Sequence, residues 1–345
     1  MGFAELPTLT RRQLLVAGAG LGGAALAPSA LAGPGRSPVL VLNSLDGTVS
    51  VIDPVRWVET GRIATGKEPH HLYLSPDERS LIVANAMSDT LTLVDPKTGE
   101  IQRTISGIVD PYQLRFSPDM KWFVTAGNRL DHVAIYKVNS KPEAGAAGFD
   151  ITLVKRIPAG KTPSHIFIDT KSTVAYVSLQ DSDELIAVDL LTQSLRWKVP
   201  VGKTPADVYL TPDDRHLLVA LTGDSFVEVY DVSGAQPKLT KRIKTGDGAH
   251  SFRAWGDKRH VLVSNRAGNS ISRIDMSTFT VVDQYSAPGG PDDMDLLADG
   301  KTLIFASRWA RKLSVVDTTT KKVVHQVPVG RSPHGVWTLD HAPRQ

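Results

Sequence analysis

The chain has 345 residues, of which 41% are apolar, and its 39 basic and 36 acidic residues give a formal net charge of +3. This length suffices for one large all-β domain or two ordinary domains, and the charge is too small to indicate nucleic-acid binding. Because the chain contains no cysteine, disulfides, thiolate metal ligands and a cysteine nucleophile are excluded.

The first 32 residues have the features of an export signal. Arg11 and Arg12 precede a weakly apolar run rich in glycine and alanine, which ends in Ala-Leu-Ala at residues 30–32. The paired arginines resemble a twin-arginine signal, with an ordinary secretory signal or an uncleaved anchor as alternatives. We predict a signal peptide over 1–32, one domain over 33–345, a periplasmic location, and no transmembrane segment after signal removal.

A phrase of about twelve residues recurs along the remaining chain. It begins with glycine, has proline three residues later, and continues into an apolar strand, as in GKEPHHLYLSPD from Gly66 and GKTPADVYLTPD from Gly202. Its proline position is occupied, at spacings of 42, 52, 42, 44, 42 and 42 residues, by Pro69, Pro111, Pro163, Pro205, Ala249, Pro291 and Pro333. A fixed period of this length predicts a repeat architecture.

Each repeat contains three further segments with the alternation and the β-branched content of strands. Four strands per repeat of about 42 residues predict a β-propeller blade. The first repeat, from residue 39, has three strands without an innermost one, and the last phrase, GRSPHGVWTLD, is an innermost strand with nothing after it. We therefore predict an all-β fold, a seven-bladed β-propeller closed by pairing of its N- and C-terminal strands.

The repeat resembles a known family. The segment SPDERSLIVANAMSDTLTLVD from Ser75 and its counterparts are similar to the YVTN-type repeat of YncE-like and surface-layer propellers, over residues 37–340. The resemblance implies the fold and a binding role without naming a ligand. The third blade departs from the pattern, because VNSKPEAGAAGFDITL lengthens its outer connection by about ten residues.

Histidines concentrate in the two positions after each proline. In a propeller these positions share one rim of the central channel with the loops between the second and third strands of each blade. The first position holds His70, Tyr112, Ser164, Ala206, His250, Asp292 and His334, and the second holds His71, Gln113, His165, Asp207, Ser251, Asp293 and Gly335. Five of the chain's ten histidines lie here, whereas the third position is apolar in every blade.

Imidazoles and carboxylates that converge on one axis are what a divalent transition metal requires. We therefore predict metal ligands among His70, His71, His165, His250 and His334. The alternative is a set of polar side chains around a water-filled channel, and the sequence does not tell which of the two positions faces the axis.

The same rim carries basic and aromatic residues. Arg266, Arg308 and Arg311 lie in the loops between second and third strands, and Lys67, Lys161, Lys203 and Arg331 follow the loop glycines. Such a mouth suits an anion, such as a carboxylate, a phosphate or a propionate-bearing tetrapyrrole, although solvated loop residues are the alternative. The predicted ligand-binding residues are Arg129, Arg266, Arg308, Trp309, Tyr112, Asp207 and Asp293. Single-stranded nucleic acid would need more stacking aromatics.

The aspartates that end the third strands are not predicted to be catalytic. They occupy equivalent turn positions, where aspartate forms hydrogen bonds to the backbone, and they are Asp53, Asp95, Asp189, Asp231, Asp275 and Asp317. Asp77, Asp119 and Asp213, in the turns after the innermost strands, have the same interpretation. The sequence contains no nucleophile elbow, phosphate loop or zinc-protease helix motif.

Two functions remain. The first is a monomeric periplasmic binding protein that holds a metal ion, a small anionic ligand or a protein partner at the histidine-lined mouth. The second is an enzyme or cofactor-handling protein, suggested by resemblance to lactonases and to d1-type tetrapyrrole domains. That resemblance implies that His71 or His334 is an axial ligand or general base and that Arg129, Arg266 and Arg308 bind carboxylates. A divalent transition metal is preferred to a tetrapyrrole as the cofactor, and whether the protein catalyses a reaction is left open.

Overall fold

The computed structural model describes residues 36–75, 77–140 and 149–344. The predicted signal peptide over 1–32 lies outside the described residues. Among the described residues, no helix is long and apolar enough to cross a membrane.

The described residues form seven four-stranded antiparallel sheets, which are the predicted blades. In chain order, the first three strands are β1 (Val39–Asn43), β2 (Thr48–Asp53) and β3 (Val58–Ala64). Blades 2 to 4 contain β4 (Pro69–Leu74), β5 (Leu81–Asn85), β6 (Thr90–Val94), β7 (Ile101–Ser106), β8 (Gln113–Phe116), β9 (Trp122–Gly127), β10 (His132–Ser140), β11 (Phe149–Pro158), β12 (Pro163–Ile168), β13 (Val174–Leu179), β14 (Glu184–Asp189) and β15 (Ser194–Pro200).

In blades 2 to 7 the four strands run in chain order from the innermost to the outermost position, and β28 is the innermost strand of blade 1. The remaining strands complete the chain. They are β16 (Pro205–Leu210), β17 (His216–Leu221), β18 (Phe226–Asp231), β19 (Lys238–Lys244), β20 (Ala249–Ala254), β21 (His260–Asn265), β22 (Ser270–Asp275), β23 (Thr280–Ser286), β24 (Pro291–Leu296), β25 (Thr302–Ser307), β26 (Lys312–Asp317), β27 (Lys322–Pro328) and β28 (Pro333–Thr338). β28 pairs antiparallel with β1, with Val336 opposite Val41, and completes blade 1. The predicted closure is confirmed, and it leaves no open seam between the first and last blades.

Burial explains why the sequence forms these sheets. The second strands, such as β5 and β13, are buried throughout, whereas outermost strands such as β3 alternate between exposed and half-buried residues. The predicted lengthening of blade 3 is confirmed for the described part, because β10 and β11 pair as far as Ser140 and Phe149.

The turn aspartates behave as predicted. Asp53 Oδ1 accepts a hydrogen bond from the Val55 N–H at 2.8 Å, and Asp95 Oδ1 accepts one from the Lys97 N–H at 2.7 Å. The same turn recurs at Asp189, Asp231, Asp275 and Asp317. These carboxylates fix the loops on the rim opposite the proline loops, so they are structural.

A β-bulge in the innermost strands determines the geometry of the histidine positions. Pro69 pairs with Asn85 and Leu72 with Val83, so His70 and His71 together face the single residue Ala84. The same shift occurs at the start of β12, β16, β20 and β24 and where β28 pairs with β1. A bulge re-aims side chains, and here it directs two successive residues of one strand to the centre.

Candidate functional site

The bulges arrange the predicted ring as two layers. We call the first-position side chains His70, Tyr112, His250, Asp292 and His334 the upper layer. The second-position side chains His71, Gln113, His165, Asp207, Ser251 and Asp293 form the lower layer. The lower layer lines a central cavity of about 520 Å³, whereas the upper layer packs above it. Both positions therefore reach the axis, and the second position faces the cavity.

All five predicted histidines lie in one buried cluster. The ring centroids are 3.8 Å apart for His70 and His334, 4.7 Å for His71 and His334, and 4.7 Å for His71 and His165. His250 joins at 5.7 Å from His165, and Tyr112 stacks at 4.0 Å from His70. The convergence expected from the repeat positions is therefore present.

Several imidazole nitrogens in this cluster are buried without a hydrogen-bond partner. They are His70 Nδ1, His71 Nε2, His165 Nε2 and both ring nitrogens of His334. Buried polar atoms normally have partners, so a concentration of unpaired nitrogens at one point indicates that something else binds there.

The upper layer is an ion cluster centred on Asp292. Its carboxylate is fully buried and lies 2.5 Å from Arg266 Nη2, 2.8 Å from Arg308 Nη1 and 2.8 Å from His250 Nε2. Burial opposes ionisation of Asp292, but the imidazole of His334 and the guanidinium of Arg266 outweigh it and hold its pKa well below the usual range. His250 Nε2 is also in contact with Arg266 Nη2. The two arginines therefore more than compensate the charge of Asp292.

The lower layer has a carboxylate without such cations. Asp293 Oδ1 accepts a hydrogen bond from Ser251 Oγ at 2.8 Å, and its Oδ2 lies 3.5 Å from His71 Nδ1 and 3.7 Å from His334 Nδ1. Burial opposes its ionisation, but the contact with His71 outweighs burial and lowers the pKa of Asp293. No lysine or arginine of the described residues forms an ion pair with Asp293.

Burial favours the neutral form of four of the five clustered histidines. It lowers the pKa of His70, His165 and His334 well below the ordinary histidine value, and burial together with the nearby Arg266 lowers that of His250. A neutral imidazole is the form that binds a metal ion.

The described residues contain three overlapping groups whose ligand atoms lie within 4.8 Å of one another. They are His70, His71 and His334; His71, His165 and Asp293; and His250, Asp292 and His334. In the third group, Asp292 is paired with Arg266 and Arg308, and His250 is in contact with Arg266. The first group contains no carboxylate. The group of His71, His165 and Asp293 combines free nitrogens with an available carboxylate.

The other predicted binding residues are distributed differently. Arg266 and Arg308 belong to the upper layer through Asp292, but Arg129 pairs with Asp110 and Asp89 at 3.4 Å each. Trp309 is 59% exposed and lies over Gly290. The structure therefore does not bring Arg129 and Trp309 to the histidine cluster.

Asp207, predicted as a ligand-binding residue, lies in the lower layer, and its hydrogen bonds are to the backbone. Its carboxylate accepts hydrogen bonds from the backbone N–H groups of Phe252 at 2.7 Å and Val208 at 2.8 Å. Burial outweighs these bonds and raises the pKa of Asp207 to about 7. Asp207 is therefore a carboxyl group that titrates near neutral pH at the top of the cavity.

Two residues that are not among the predicted binding residues are important in the structure. Asp292 is a carboxylate of the ring and pairs with both Arg266 and Arg308. Arg115 occupies the fourth position after Pro111 and lines the cavity. Side chains of a strand alternate between faces, so counting two residues on from the second position would have found Arg115.

Comparison with known proteins agrees with this architecture. The family described as YncE-like beta-propeller matches residues 6–344. No curated protein sequence matches the chain. Among solved structures, the periplasmic gluconolactonase PpgL of Pseudomonas aeruginosa is 18% identical, with a TM-score of 0.72 over 90% of this chain and 100% of that chain.

Two further structures are similar in fold. The dihydro-heme d1 dehydrogenase NirN, in complex with DHE, is 16% identical, with a TM-score of 0.63 over 90% of this chain and 77% of that chain. Kuenenia stuttgartiensis hydrazine synthase is 18% identical, with a TM-score of 0.61 over 77% of this chain and 88% of that chain. These similarities concern the fold, while the family match spans nearly the whole sequence. The chain therefore belongs to the YncE-like β-propeller family.

Proposed function

We propose that the protein is an exported, periplasmic binding protein that holds one divalent transition-metal ion on His71, His165 and Asp293. The observation that carries this proposal is the pair of buried, unpaired nitrogens, His71 Nε2 and His165 Nε2, beside the carboxylate of Asp293, which pairs with no arginine or lysine of the described residues. The location rests on the export features of residues 1–32 and agrees with PpgL, which is named as periplasmic.

Hydrogen bonds with neighbouring serines orient two of the three proposed ligands, His165 and Asp293. Ser164 Oγ lies 2.9 Å from His165 Nδ1, so an Nδ1–H that donates to this hydroxyl leaves the Nε2 lone pair for the metal. Ser251 holds Asp293 Oδ1 and leaves Oδ2 available. Such outer partners fix the orientation of metal ligands and are typical of built metal sites.

The ligand set indicates the class of metal. Two imidazoles and one carboxylate suit Zn²⁺, Fe²⁺ and related first-row ions. Three protein ligands leave coordination positions open, and here the open side faces the 520 Å³ cavity. This arrangement resembles metal centres that bind a further ligand more than closed structural sites.

A tetrapyrrole or a large anion at the mouth has less support. Arg266 and Arg308 are both paired with Asp292, so an anion would have to displace that carboxylate. The upper-layer histidines His70, His250 and His334 are at most 3% exposed, so none of these three imidazoles is accessible from the surface as an axial ligand.

Metal content and an absorption spectrum test the proposal. Protein dialysed against chelator and titrated with Co²⁺ should bind one ion per chain and develop the visible bands of a low-coordinate centre. Single replacements His71→Ala, His165→Ala and Asp293→Ala should each weaken binding by about 100-fold or more, because each removes a ligand. His325→Ala is the matched control, because His325 lies in the outermost strand β27, where it stacks on Trp57 far from the histidine cluster.

Circular dichroism of each variant shows whether it folds, and His71→Gln replaces His71→Ala where the latter does not. Absence of stoichiometric Co²⁺ or Zn²⁺ binding to the folded wild-type protein would overturn the proposal. Loss of binding in His250→Ala but not in His165→Ala would move the metal to the upper layer. A Soret band in protein purified from the periplasm would favour the tetrapyrrole alternative.

A further inference from the structure

The cavity below the lower layer is lined by an arginine, Arg115, that forms no ion pair among the described residues. We propose that this cavity binds a small organic acid with an aromatic body, whose carboxylate pairs with Arg115. The contact with Arg115 is independent of the metal. Only the approach of the ligand's other end to His71, His165 and Asp293 rests on the function proposed above.

Arg115 is held in place without being neutralised. Its Nε donates to the Ile166 carbonyl at 2.8 Å, and its guanidinium carbon lies 4.5 Å from the ring centre of Phe167 and 5.7 Å from that of Tyr73. Among the described residues, Arg115 forms no ion pair, and neither Nη1 nor Nη2 has a hydrogen-bond partner. Two adjacent N–H groups with a fixed orientation are suited to bidentate binding of a carboxylate.

The other arginines of the cavity are already occupied. Arg253 Nε binds Asp295 Oδ1 at 2.7 Å, and its Nη groups donate to the carbonyls of Ala342 and Pro343 at 2.6 and 3.0 Å. Arg344 binds Asp295 Oδ2 at 2.6 Å. Asp295 therefore neutralises part of their charge and holds the segment 342–344 against the cavity, which leaves Arg115 as the cavity arginine without an ion pair among the described residues.

The cavity walls indicate the rest of the ligand. Besides the polar side chains, they include the apolar and aromatic side chains of Leu72, Phe167, Tyr209, Phe252, Met294 and Trp337. A volume of about 520 Å³ lies within the range of small-molecule sites. Flat rings stack favourably on such walls, so a ring with one carboxylate fits better than a sugar acid or a free phosphate.

Calorimetric titration of metal-free protein with benzoate, phenylacetate and indole-3-acetate tests this inference. At least one of these acids should bind at one per chain, and its carboxamide should bind about tenfold more weakly or worse, because the charge-assisted pair is lost. Arg115→Met should weaken the acid by a similar factor. Arg331→Met is the matched control, because Arg331 pairs with Asp46 on the rim.

Failure of this inference is distinguishable from failure of the metal site. If none of the three acids binds, if acid and carboxamide bind equally, or if Arg115→Met binds like wild type, the inference is wrong. Comparison of acid with carboxamide uses the wild-type protein, so it decides the matter even where Arg115→Met does not fold. Acid binding by a protein that takes up no Co²⁺ would support Arg115 as the anchor and refute the metal centre alone.

Discussion

Asp292 and Asp293 are consecutive residues of one bulged strand, and their surroundings differ fundamentally. Asp292 lies in the upper layer between Arg266 and Arg308, with its charge fully compensated. Asp293 lies in the lower layer beside the imidazole of His71 and a serine hydroxyl, without an arginine or lysine partner among the described residues, and it faces the cavity. One residue along the chain thus separates a carboxylate that stabilises the fold from one that is available to a ligand.

The comparison shows how a repeat fold produces two chemistries at one axis. In a regular strand, successive side chains point to opposite faces, so only one of the two aspartates would reach the centre. The bulge brings both there and stacks them in layers. The upper layer has two arginines for one carboxylate, while the carboxylate of the lower layer has no arginine or lysine partner among the described residues.

Lowering the pH should have the largest effect on the free energy of unfolding. The two layers should differ in this effect, because they contain different numbers of histidines with a lowered pKa. His70, His250 and His334 belong to the upper layer and His165 to the lower, and the pKa of each is lowered in the folded protein. Below about pH 6.5 the unfolded chain therefore binds more protons than the folded protein. As the pH is lowered further, the free energy of unfolding decreases by up to about 1.4 kcal/mol per pH unit for each histidine.

Urea unfolding of metal-free protein between pH 7 and 5 measures this slope. His165→Gln should remove the contribution of one proton, and His70→Gln with His334→Gln that of two. A wild-type stability that does not change over this range would contradict the neutral, buried state of the cluster.

Replacing each of the two aspartates should distinguish them directly. Asp292→Asn leaves Arg266 and Arg308 without their counter-ion and should lower the free energy of unfolding by about 3–5 kcal/mol, as when one member of a buried ion pair is removed. Asp293→Asn loses only contacts with His71 and Ser251, keeps the geometry of the side chain, and should cost about 1 kcal/mol or less in metal-free protein. Chemical denaturation at pH 7 gives both values, and equal losses would mean that the layers are not distinct.

Asp207 should give a smaller, oppositely signed dependence on pH. Its pKa is raised to about 7 in the folded protein, so stability from this group is full below the ordinary aspartate pKa and declines as the pH rises towards 7. The slope should reach about 1.4 kcal/mol per pH unit between roughly pH 4 and 7.

The difference in unfolding free energy between wild type and Asp207→Asn, followed with pH, isolates this term. Asp213→Asn, in the exposed turn after β16, is the control. An identical pH profile for wild type and Asp207→Asn would show that Asp207 is ionised throughout.

The sequence predicted the fold and the ring for the same physical reason. Seven copies of one strand pattern place equivalent residues on one axis, so the convergence of His71 and His165 follows from their repeat position alone. The layering does not follow, because a bulge at His70 and His71 changes hydrogen-bond register without changing the apolar pattern. The pairing of Arg266 with Asp292 depends on side-chain conformations that a one-dimensional pattern does not contain.

Arg129 should show the smallest effect, because it lies outside both layers. Asp110, its partner at 3.4 Å, also accepts hydrogen bonds from the N–H groups of Arg129 and Leu130 at 2.7 and 2.8 Å. These backbone bonds persist in Arg129→Met, so the variant should lose about 1 kcal/mol or less and bind Co²⁺ like wild type. Arg308→Met, measured beside it, removes one of the two cations from Asp292 and should cost more. Equal effects of the two variants would show that the rim and the upper layer do not differ in how strongly they depend on their arginines.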